Sequence, residues 1–284
     1  MGAGISRVFA EGGCSVRLCA RRAASLEAAR PRLGGHAVEL TTSAEEALEG
    51  AALVVETIAE EAEPKRAALA LAESVAAPDA ILTTNTSSLP LRLLAEGLER
   101  PERFAGLHWF APPELVELVE VVGGERTAPE TVETLCAWAV ALGKAPVVVR
   151  ADVPGFVANR LQYALLREAY ALVDTGVCSM ADVDRAVTLG LGARWAAIGP
   201  FEAMDLAGLD VHAAVAGNLF PELASGRESP PPLTEALASG ALGVKNGRGL
   251  RGKYEVDTVN ELLARRDRVL GGIAALREGN EPAG

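Results

Sequence analysis

The stretch MGAGISRVFAEGGCSVRLC, residues 1–19, combines a glycine-rich turn, an apolar helical segment and a short run that ends at Cys19. This order is the second half of the dinucleotide-binding fingerprint, in which a helix N-terminus faces a pyrophosphate group. On that alignment Gly2 is the third glycine, where the lack of a side chain lets the helix pack closely on the sheet. Taken alone, MGAG is more often a plain glycine-rich segment, and it is the spacing of the downstream residues that favours a dinucleotide site.

The first two glycines of the fingerprint and the strand before them do not occur in this sequence. That strand normally occupies the middle of a doubly wound sheet, so its absence would leave two interior edges with unpaired backbone groups. The sequence therefore predicts an N-terminal truncation at the glycine-rich turn, with the natural chain starting roughly ten or more residues upstream.

Beyond this stretch, β-branched runs alternate with helical segments up to about Arg150, which is typical of βαβ units and a mostly parallel sheet. The predicted strands are Ser15 to Cys19, Ala37 to Leu40, Leu53 to Thr57, Ile81 to Thr84, Phe104 to His108, Leu118 to Val122 and Pro146 to Val149. Within this part, Ser43-Ala-Glu-Glu46 predicts a capping box at a helix start, and Pro64 suits the first turn of another helix.

After Asp152-Val-Pro-Gly155 the strand pattern stops and helical periodicity takes over. Helices are predicted for residues 156–174, 179–189, 199–206 and 256–276, with a turn-rich loop at 224–232 and a polar tail at the end. The expected fold is a Rossmann-type doubly wound, mostly parallel α/β sheet lacking its first strand, over residues 1–150. An all-helical C-terminal domain follows over residues 151–284.

The charge and composition narrow the class of protein. With 27 basic and 38 acidic side chains the net charge is −11, which repels nucleic-acid backbones and anionic membrane surfaces. No apolar run approaches the roughly 20 residues needed to span a bilayer, and the first residues do not resemble a signal peptide. Three histidines and four cysteines without CxxC spacing offer little for a metal site. We expect a cytoplasmic protein with a small-molecule substrate and no metal, nucleic acid or membrane partner.

The end of the first strand bears on cofactor choice. It reads Leu18-Cys-Ala-Arg-Arg22, so Ala20 stands where NAD-binding proteins usually carry a carboxylate for the ribose hydroxyls. A neutral residue followed by Arg21 suits the 2′-phosphate of NADP, although a solvated turn also explains the arginines. The expected cofactor is NAD or NADP, with NADP slightly favoured. Glu60 and Lys65 could line the nicotinamide side of the cofactor site. The alternative interpretation is that both residues belong to an exposed helix start.

Polar residues follow two of the predicted strands. Asn85 and Ser87, in Asn85-Thr-Ser-Ser-Leu89, and His108, in Gly106-Leu-His-Trp-Phe110, should lie at the carboxyl edge of the sheet, where such folds bind ligands. Glu120 lies within the apolar run Leu-Val-Glu-Val-Val and needs a buried partner, for which a histidine is suited. A neutral imidazole could accept a hydroxyl proton while hydride leaves the same carbon. A purely structural histidine is the alternative.

Six dispersed motifs, NTSSL, GLHWF, ELVE, DVPGFVANRL, GPFEAMD and GVKNGRG, resemble in order and spacing those of the 3-hydroxyacyl-CoA dehydrogenase family, from Gly2 to about Gly249. The resemblance implies an NAD(P)-binding Rossmann domain, a helical domain that mediates homodimerisation, and an active site between them. It implies interconversion of 3-hydroxyacyl and 3-oxoacyl thioesters in fatty acid metabolism. It also implies that His108 is the general base, that Glu120 orients it, and that Ser87 and Asn159 hydrogen-bond the reacting oxygen.

The chain departs from this family in ways that bear on the substrate. Ala111 replaces the usual asparagine after the histidine motif, which weakens the case for a thioester. The segment Gly192-Ala-Arg-Trp-Ala196 resembles relatives that act on free hydroxy acids, such as gulonate or carnitine dehydrogenases. There Arg194 could hold a substrate carboxylate through two hydrogen bonds, or it could simply cap helix carbonyls. A dehydrogenase of a small free 3-hydroxy acid and a non-catalytic binding module are therefore the alternatives to the acyl-CoA enzyme.

Overall fold

The structure, a computed structural model, describes residues 1–278. The chain divides into two compact units, Met1–Arg160 and Leu161–Gly284. This division falls in the first turn of a helix, whereas the sequence predicts a domain boundary near residue 150. Most of the predicted polar tail lies outside the described residues.

In the first unit, which is described in full, seven strands form two sheets. The strands are β1 Val16–Cys19, β2 Val38–Thr41, β3 Leu53–Glu56, β4 Ile81–Thr84, β5 Phe104–Trp109, β6 Leu118–Gly123 and β7 Ala145–Val149. β1 and β2 pair in parallel, and the other five lie in the order β3-β4-β5-β6-β7, parallel except for the antiparallel β5 and β6. Each predicted strand is confirmed within one residue at either end.

The two sheets of the first unit are not hydrogen-bonded to each other. β1 and β3 each present an edge where a single doubly wound sheet would be continuous, which is the interruption that the sequence predicts. That residues precede Met1 in the natural chain stays a prediction.

The first unit contains six α-helices, the start of a seventh, and two short 3-10 helices, Arg30–Leu33 and Pro101–Arg103. The α-helices are α1 Gly2–Glu11, α2 Ala23–Ala29, α3 Ala44–Leu48, α4 Ala62–Val75, α5 Leu91–Leu94, α6 Pro129–Ala141 and α7 Ala158–Asp174. Ser43 caps α3 through its Oγ, which accepts from the N–H of Glu46 at 3.2 Å. The Glu46 carboxylate instead accepts from the Thr41 hydroxyl at 2.6 Å, so the reciprocal half of the predicted capping box is not formed. Pro64 lies in the first turn of α4, as predicted.

Side chains of the five-stranded sheet alternate between two apolar cores, as expected for buried strands. On β5, Phe104 packs into one core with Val122, while Leu107 and Trp109 pack into the other with Ile5 of α1. Because successive side chains point to opposite faces, His108 shares the face of Phe104 and not that of its neighbour Trp109.

The described part of the second unit is mainly helical. Its elements are α8 Met180–Ala186, a π-helical turn Val187–Leu191, α9 Gly192–Ala197, α10 Pro200–Ala207, α11 Leu209–Leu219, α12 Pro231–Ala238, β8 Arg248–Gly249, β9 Gly252–Lys253 and α13 Val256–Glu278. The four predicted helices are confirmed, but the prediction that strands end before this region is wrong, because β8 and β9 form a short hairpin. The predicted loop at 224–232 is shorter, since α12 already begins at Pro231. Up to Glu278, no helix has both the length and the apolar character needed to cross a membrane.

Candidate active site

His108 and Glu120 lie directly opposite each other on the antiparallel strands β5 and β6. Residues opposite each other in such a pair share one face of the sheet, so their side chains can meet. The Nδ1 atom of His108 lies 2.7 Å from Oε2 of Glu120, and both residues are buried. The structure thus brings together the two residues that the sequence selects as an acid–base pair.

The second carboxylate oxygen of Glu120 is held by the start of helix α7. Its Oε1 accepts hydrogen bonds from the backbone N–H groups of Val157, at 2.9 Å, and Ala158, at 2.8 Å. Burial alone would raise the pKa of Glu120, but the hydrogen bonds from His108, Ala158 and Val157 outweigh it and lower that pKa. The carboxyl group therefore stays ionised beside the imidazole.

The imidazole of His108 is enclosed by two aromatic rings. The ring centroids of Phe110 and Phe156 lie 4.5 and 5.6 Å from that of His108. Among the residues that the structure describes, the side chain of His108 hydrogen-bonds only Glu120. An ionised carboxylate accepts, so the Nδ1–H donates to Glu120 and the lone pair of a neutral imidazole is on Nε2.

Ser87 lies in a loop, residues 86–88, that is anchored on Glu60. The Oε1 atom of Glu60 accepts from the Thr86 hydroxyl at 2.7 Å and from the N–H groups of Ser87 and Ser88 at 2.9 and 3.0 Å. The hydroxyl groups of Ser88 and Ser87 lie 3.0 and 3.4 Å from the same atom. Although burial opposes it, these hydrogen bonds and the nearby Lys65 lower the pKa of Glu60 to about 2. Glu60 is therefore an ionised anchor for the loop that carries Ser87.

Lys65, which is 1% exposed, forms a buried ion pair with Glu56. Its Nζ donates to Oε1 and Oε2 of Glu56 at 2.8 and 3.0 Å and to the carbonyl of Ile58 at 3.3 Å. It also lies 3.5 Å from Oε2 of Glu60. Since all three ammonium protons have partners within the protein, the geometry favours a positioning role, and direct contact of Lys65 with a cofactor stays a prediction.

Sequence reasoning missed Glu56 as a partner of Lys65. The signal available was a carboxylate at the end of a buried strand with a lysine nine residues later. Glu56 also accepts from the hydroxyl of Thr84 at 2.7 Å, which ties the carboxyl ends of β3 and β4 together. The hydrogen bonds from the N–H groups of Val157 and Ala158 to Glu120 were also not predicted. Nearly every residue type has a backbone N–H group, so residue identity does not indicate which of them bind a carboxylate.

Two amide side chains among the predicted site residues have different surroundings. The Oδ1 atom of Asn85 accepts from the N–H of Trp109 at 2.8 Å, so Asn85 joins the ends of β4 and β5. Asn159 lies half-buried in the first turn of α7, and its side chain has no hydrogen bond to another residue in the described part of the chain. The amide of Asn159 is therefore free to bind a ligand.

The remaining predicted residues lie at the cofactor end of the first unit and in the second unit. At Gly2, a Cβ atom would lie 3.1 Å from Oγ1 of Thr57, so glycine permits the close approach of α1 to the end of β3. This close packing fits the role of the third fingerprint glycine in a dinucleotide site. Arg21 is exposed in the turn after β1, and Arg194 is exposed on α9 of the second unit.

Two family profiles match the chain. Residues 1–153 match the profile described as 3-hydroxyacyl-CoA dehydrogenase, NAD binding domain, and residues 155–252 match its counterpart, 3-hydroxyacyl-CoA dehydrogenase, C-terminal domain.

Among characterised relatives, the chain is similar to the 5-formyl-3-hydroxy-2-methylpyridine 4-carboxylate 5-dehydrogenase of Mesorhizobium japonicum. The two are 35% identical over 99% of this chain and 96% of that protein. The chain is also 35% identical to the L-carnitine dehydrogenase of Streptomyces griseus, over 81% of this chain and 68% of that protein.

Solved structures give a similar result. A crystal structure of a 5-formyl-3-hydroxy-2-methylpyridine 4-carboxylic acid 5-dehydrogenase, described as an NAD+ dependent dismutase, superposes with a TM-score of 0.95 and 34% identity, covering 99% of this chain and 96% of that one. The 3-hydroxybutyryl-CoA dehydrogenase of Escherichia coli K12 superposes with a TM-score of 0.69 and 34% identity, covering 90% of this chain and 58% of that one.

Proposed function

Because the chain belongs to the 3-hydroxyacyl-CoA dehydrogenase family, whose N-terminal domain binds NAD, we propose that it interconverts a hydroxyl and a carbonyl group with His108 and Glu120 as its acid–base pair. The observation that carries this proposal is the 2.7 Å contact between Nδ1 of His108 and the buried carboxylate of Glu120. A binding module has no need of a histidine whose Nδ1–H is held by an ionised carboxylate, so this geometry argues against the non-catalytic alternative.

The chain's own residues would move the proton. In oxidation, Nε2 of His108 takes the proton of the substrate hydroxyl, and Glu120 stabilises the resulting imidazolium. Bound NAD+ supplies the acceptor for the hydride that leaves the same carbon. Asn159 would donate a hydrogen bond to the reacting oxygen, and so would Ser87 once its hydroxyl turns away from Oε1 of Glu60, 3.4 Å from it. In reduction, the imidazolium of His108 returns the proton to that oxygen.

For the substrate we propose a small free carboxylate that carries a hydroxyl group, or an aldehyde that reacts as its hydrate, formed by addition of water, so that a hydroxyl proton is again available to His108. This proposal is supported by the similarity to the pyridine carboxylate dehydrogenase, which extends over 99% of the chain, and by the higher TM-score of 0.95 against 0.69 for the 3-hydroxybutyryl-CoA enzyme. Arg194 supplies an exposed guanidinium for the carboxylate. The second candidate is a 3-hydroxyacyl-CoA thioester, favoured by the family to which the chain belongs.

An absorbance assay at 340 nm separates the two candidates. The protein is given NAD+ with L-carnitine, L-gulonate, a hydroxymethyl- or formyl-pyridine carboxylate, or 3-hydroxybutyryl-CoA. We expect turnover with a small carboxylate, and Arg194→Ala should raise its KM about tenfold or more because a charge-assisted hydrogen bond is lost. Arg185→Ala, at an exposed arginine on α8, is the matched control. Turnover with the thioester alone would overturn the small-carboxylate proposal and leave the second candidate.

The choice between NAD and NADP is tested in the same assay. NAD follows from the family, whereas Ala20 and the exposed Arg21 are features that suit a 2′-phosphate. A higher kcat/KM with NADP+ than with NAD+ would support the preference that the sequence predicts.

We also propose that the protein is a homodimer through its second unit. Among the described residues after Leu161, Ala241 is the only buried one. Large apolar side chains there are open to solvent, with Phe201 81% and Leu206 78% exposed. Apolar surface on this scale marks an interaction site. A second copy of the chain is the partner that the family resemblance implies.

Light scattering after gel filtration checks the dimer. We expect a mass about twice the 29.5 kDa of one chain, and a monomer for the double variant Phe201→Glu/Phe220→Glu, because charges oppose burial of this surface. Val140→Glu changes an exposed apolar residue of the first unit, 61% accessible, and should leave the mass unchanged. A monomeric parent protein would contradict the proposal.

A further inference from the structure

The turn before helix α7 contains an unusual backbone conformation. Phe156 has φ of +48°, and among the described residues it is the only one other than glycine with a positive φ. An aromatic residue is disfavoured in this left-handed region because its Cβ crowds the backbone. Gly155, immediately before it, has φ of +81°. Two successive left-handed residues therefore redirect the chain just before α7 begins.

This turn positions two backbone N–H groups to donate hydrogen bonds to Glu120 of the acid–base pair. Directly after Phe156, the N–H groups of Val157 and Ala158 both reach Oε1 of Glu120. The N–H of Phe156 itself donates to the carbonyl of Val153 at 3.0 Å, which closes the turn. The left-handed backbone at Phe156 is thus connected to the hydrogen bonds that keep Glu120 ionised.

The side chain of Phe156 is involved as well. It is 2% exposed, and its ring lies 5.6 Å from the imidazole of His108 at an interplanar angle of 61°. Glycine would adopt the left-handed conformation without steric cost, so a phenylalanine here requires a compensating contact. Phe156 makes its ring contact with His108 and is buried in the apolar core that also contains Phe104, and these are the contacts available to offset the steric cost.

We propose that Phe156 is a positioning residue for the reaction, because its left-handed backbone presents two N–H groups to Glu120 while its ring holds the imidazole of His108 in place. It acts through these two residues and need not touch substrate or cofactor. The inference rests on the proposed function of the His108–Glu120 pair, but its first test does not use catalysis.

The first test is NMR spectroscopy of the protein labelled with ¹⁵N-histidine. The chain contains three histidines, so only three imidazole rings need to be assigned. The Nδ1–H of His108 should give a strongly downfield proton signal that is absent in His108→Ala. Phe156→Val keeps an apolar side chain, but its β-branch opposes the left-handed backbone, so this signal should be lost. Phe156→Gly keeps the turn without the ring, so the signal should remain but exchange with water at least about tenfold faster.

Controls separate positioning from general packing. Phe104→Leu alters a phenylalanine of the same core that has no ring contact with His108, and it should leave the signal as in the parent protein. Ala158→Pro covers the case in which Phe156→Val does not fold. It removes one N–H from Glu120 at the first helical position, which tolerates proline, and should speed the exchange of the His108 proton.

Kinetics give the second test, using the substrate that the 340 nm assay turns over fastest. We expect kcat to fall about 100-fold in Phe156→Val, with the Kd for NADH nearly unchanged and a larger solvent deuterium isotope effect, because proton transfer is slowed. An unchanged signal and kcat in both Phe156 variants, or an equal loss in Phe104→Leu, would overturn the inference. Full activity of His108→Ala would instead refute the proposed function, whatever the NMR result.

Discussion

Replacement of His108 by alanine is expected to lower kcat by about 10²–10⁴-fold, the usual contribution of a positioned acid–base group. Among the described residues, His108 is the only side chain that hydrogen-bonds Glu120, at 2.7 Å. Its removal therefore leaves no group held by that carboxylate to accept the substrate proton in place of Nε2. The Kd for NADH, measured by the quenching of protein fluorescence, should change little, since the substitution alters proton transfer and not the glycine turn at α1.

The matched control for this variant is His36→Ala. His36 is exposed, lies just before β2 of the other sheet and is 3.3 Å from Glu11, so its loss should leave kcat near that of the parent protein. If His108→Ala kept more than about a tenth of the parent kcat, an essential acid–base role for the pair would be wrong.

Replacement of Lys65 by methionine is expected to lower the free energy of unfolding by about 3–5 kcal/mol, because the carboxyl group of Glu56 would remain buried without its partner. Lys65 is 1% exposed, and its two short hydrogen bonds to Glu56, at 2.8 and 3.0 Å, have no replacement from solvent. Since whole domains have stabilities of about 5–15 kcal/mol, this loss should be evident in urea unfolding followed by circular dichroism.

Two further variants test the reason for that loss. The double variant Lys65→Met/Glu56→Gln removes both charges and should recover much of the stability, which would show coupling between the two sites. Arg66→Ala breaks two solvent-accessible ion pairs, one with Glu63 in the same helix and one with Glu96, and should together cost only about 1 kcal/mol. Equal effects of Lys65→Met and Arg66→Ala would contradict the buried-pair argument.

Much of the first unit could be predicted from local patterns. Short β-branched runs separated by helical segments located all seven strands. The strands β4, β5 and β6 are also buried on both faces of the sheet, which favours nearly continuous apolar runs. Prediction was weaker in the second unit, where α9, α11 and α12 were missed and a small hairpin was not expected. Few of its side chains are buried within one chain, so apolar periodicity there is a poor guide to local structure.

The candidate site was predicted in its residue types but not in its contacts. A carboxylate in an apolar strand and a histidine at the end of another suggested a pair, and family motifs added Ser87 and Asn159. The sequence did not predict that Glu60 anchors the Ser87 loop or that Lys65 pairs with Glu56. A glutamate and a lysine at these positions are equally typical of an exposed helix start.

By itself, the sequence determined the order and type of most elements of the first unit, the interrupted sheet and the two residue types, a histidine and a carboxylate, that the structure pairs. These features depend on side-chain chemistry and short-range periodicity. Only the tertiary structure decided that β5 and β6 are antiparallel with His108 opposite Glu120, and that a left-handed Phe156 presents N–H groups to the same carboxylate. The physical reason is that strand register and the direction of backbone donors result from packing between distant segments, as between Glu120 and Val157, which are 37 residues apart in the chain.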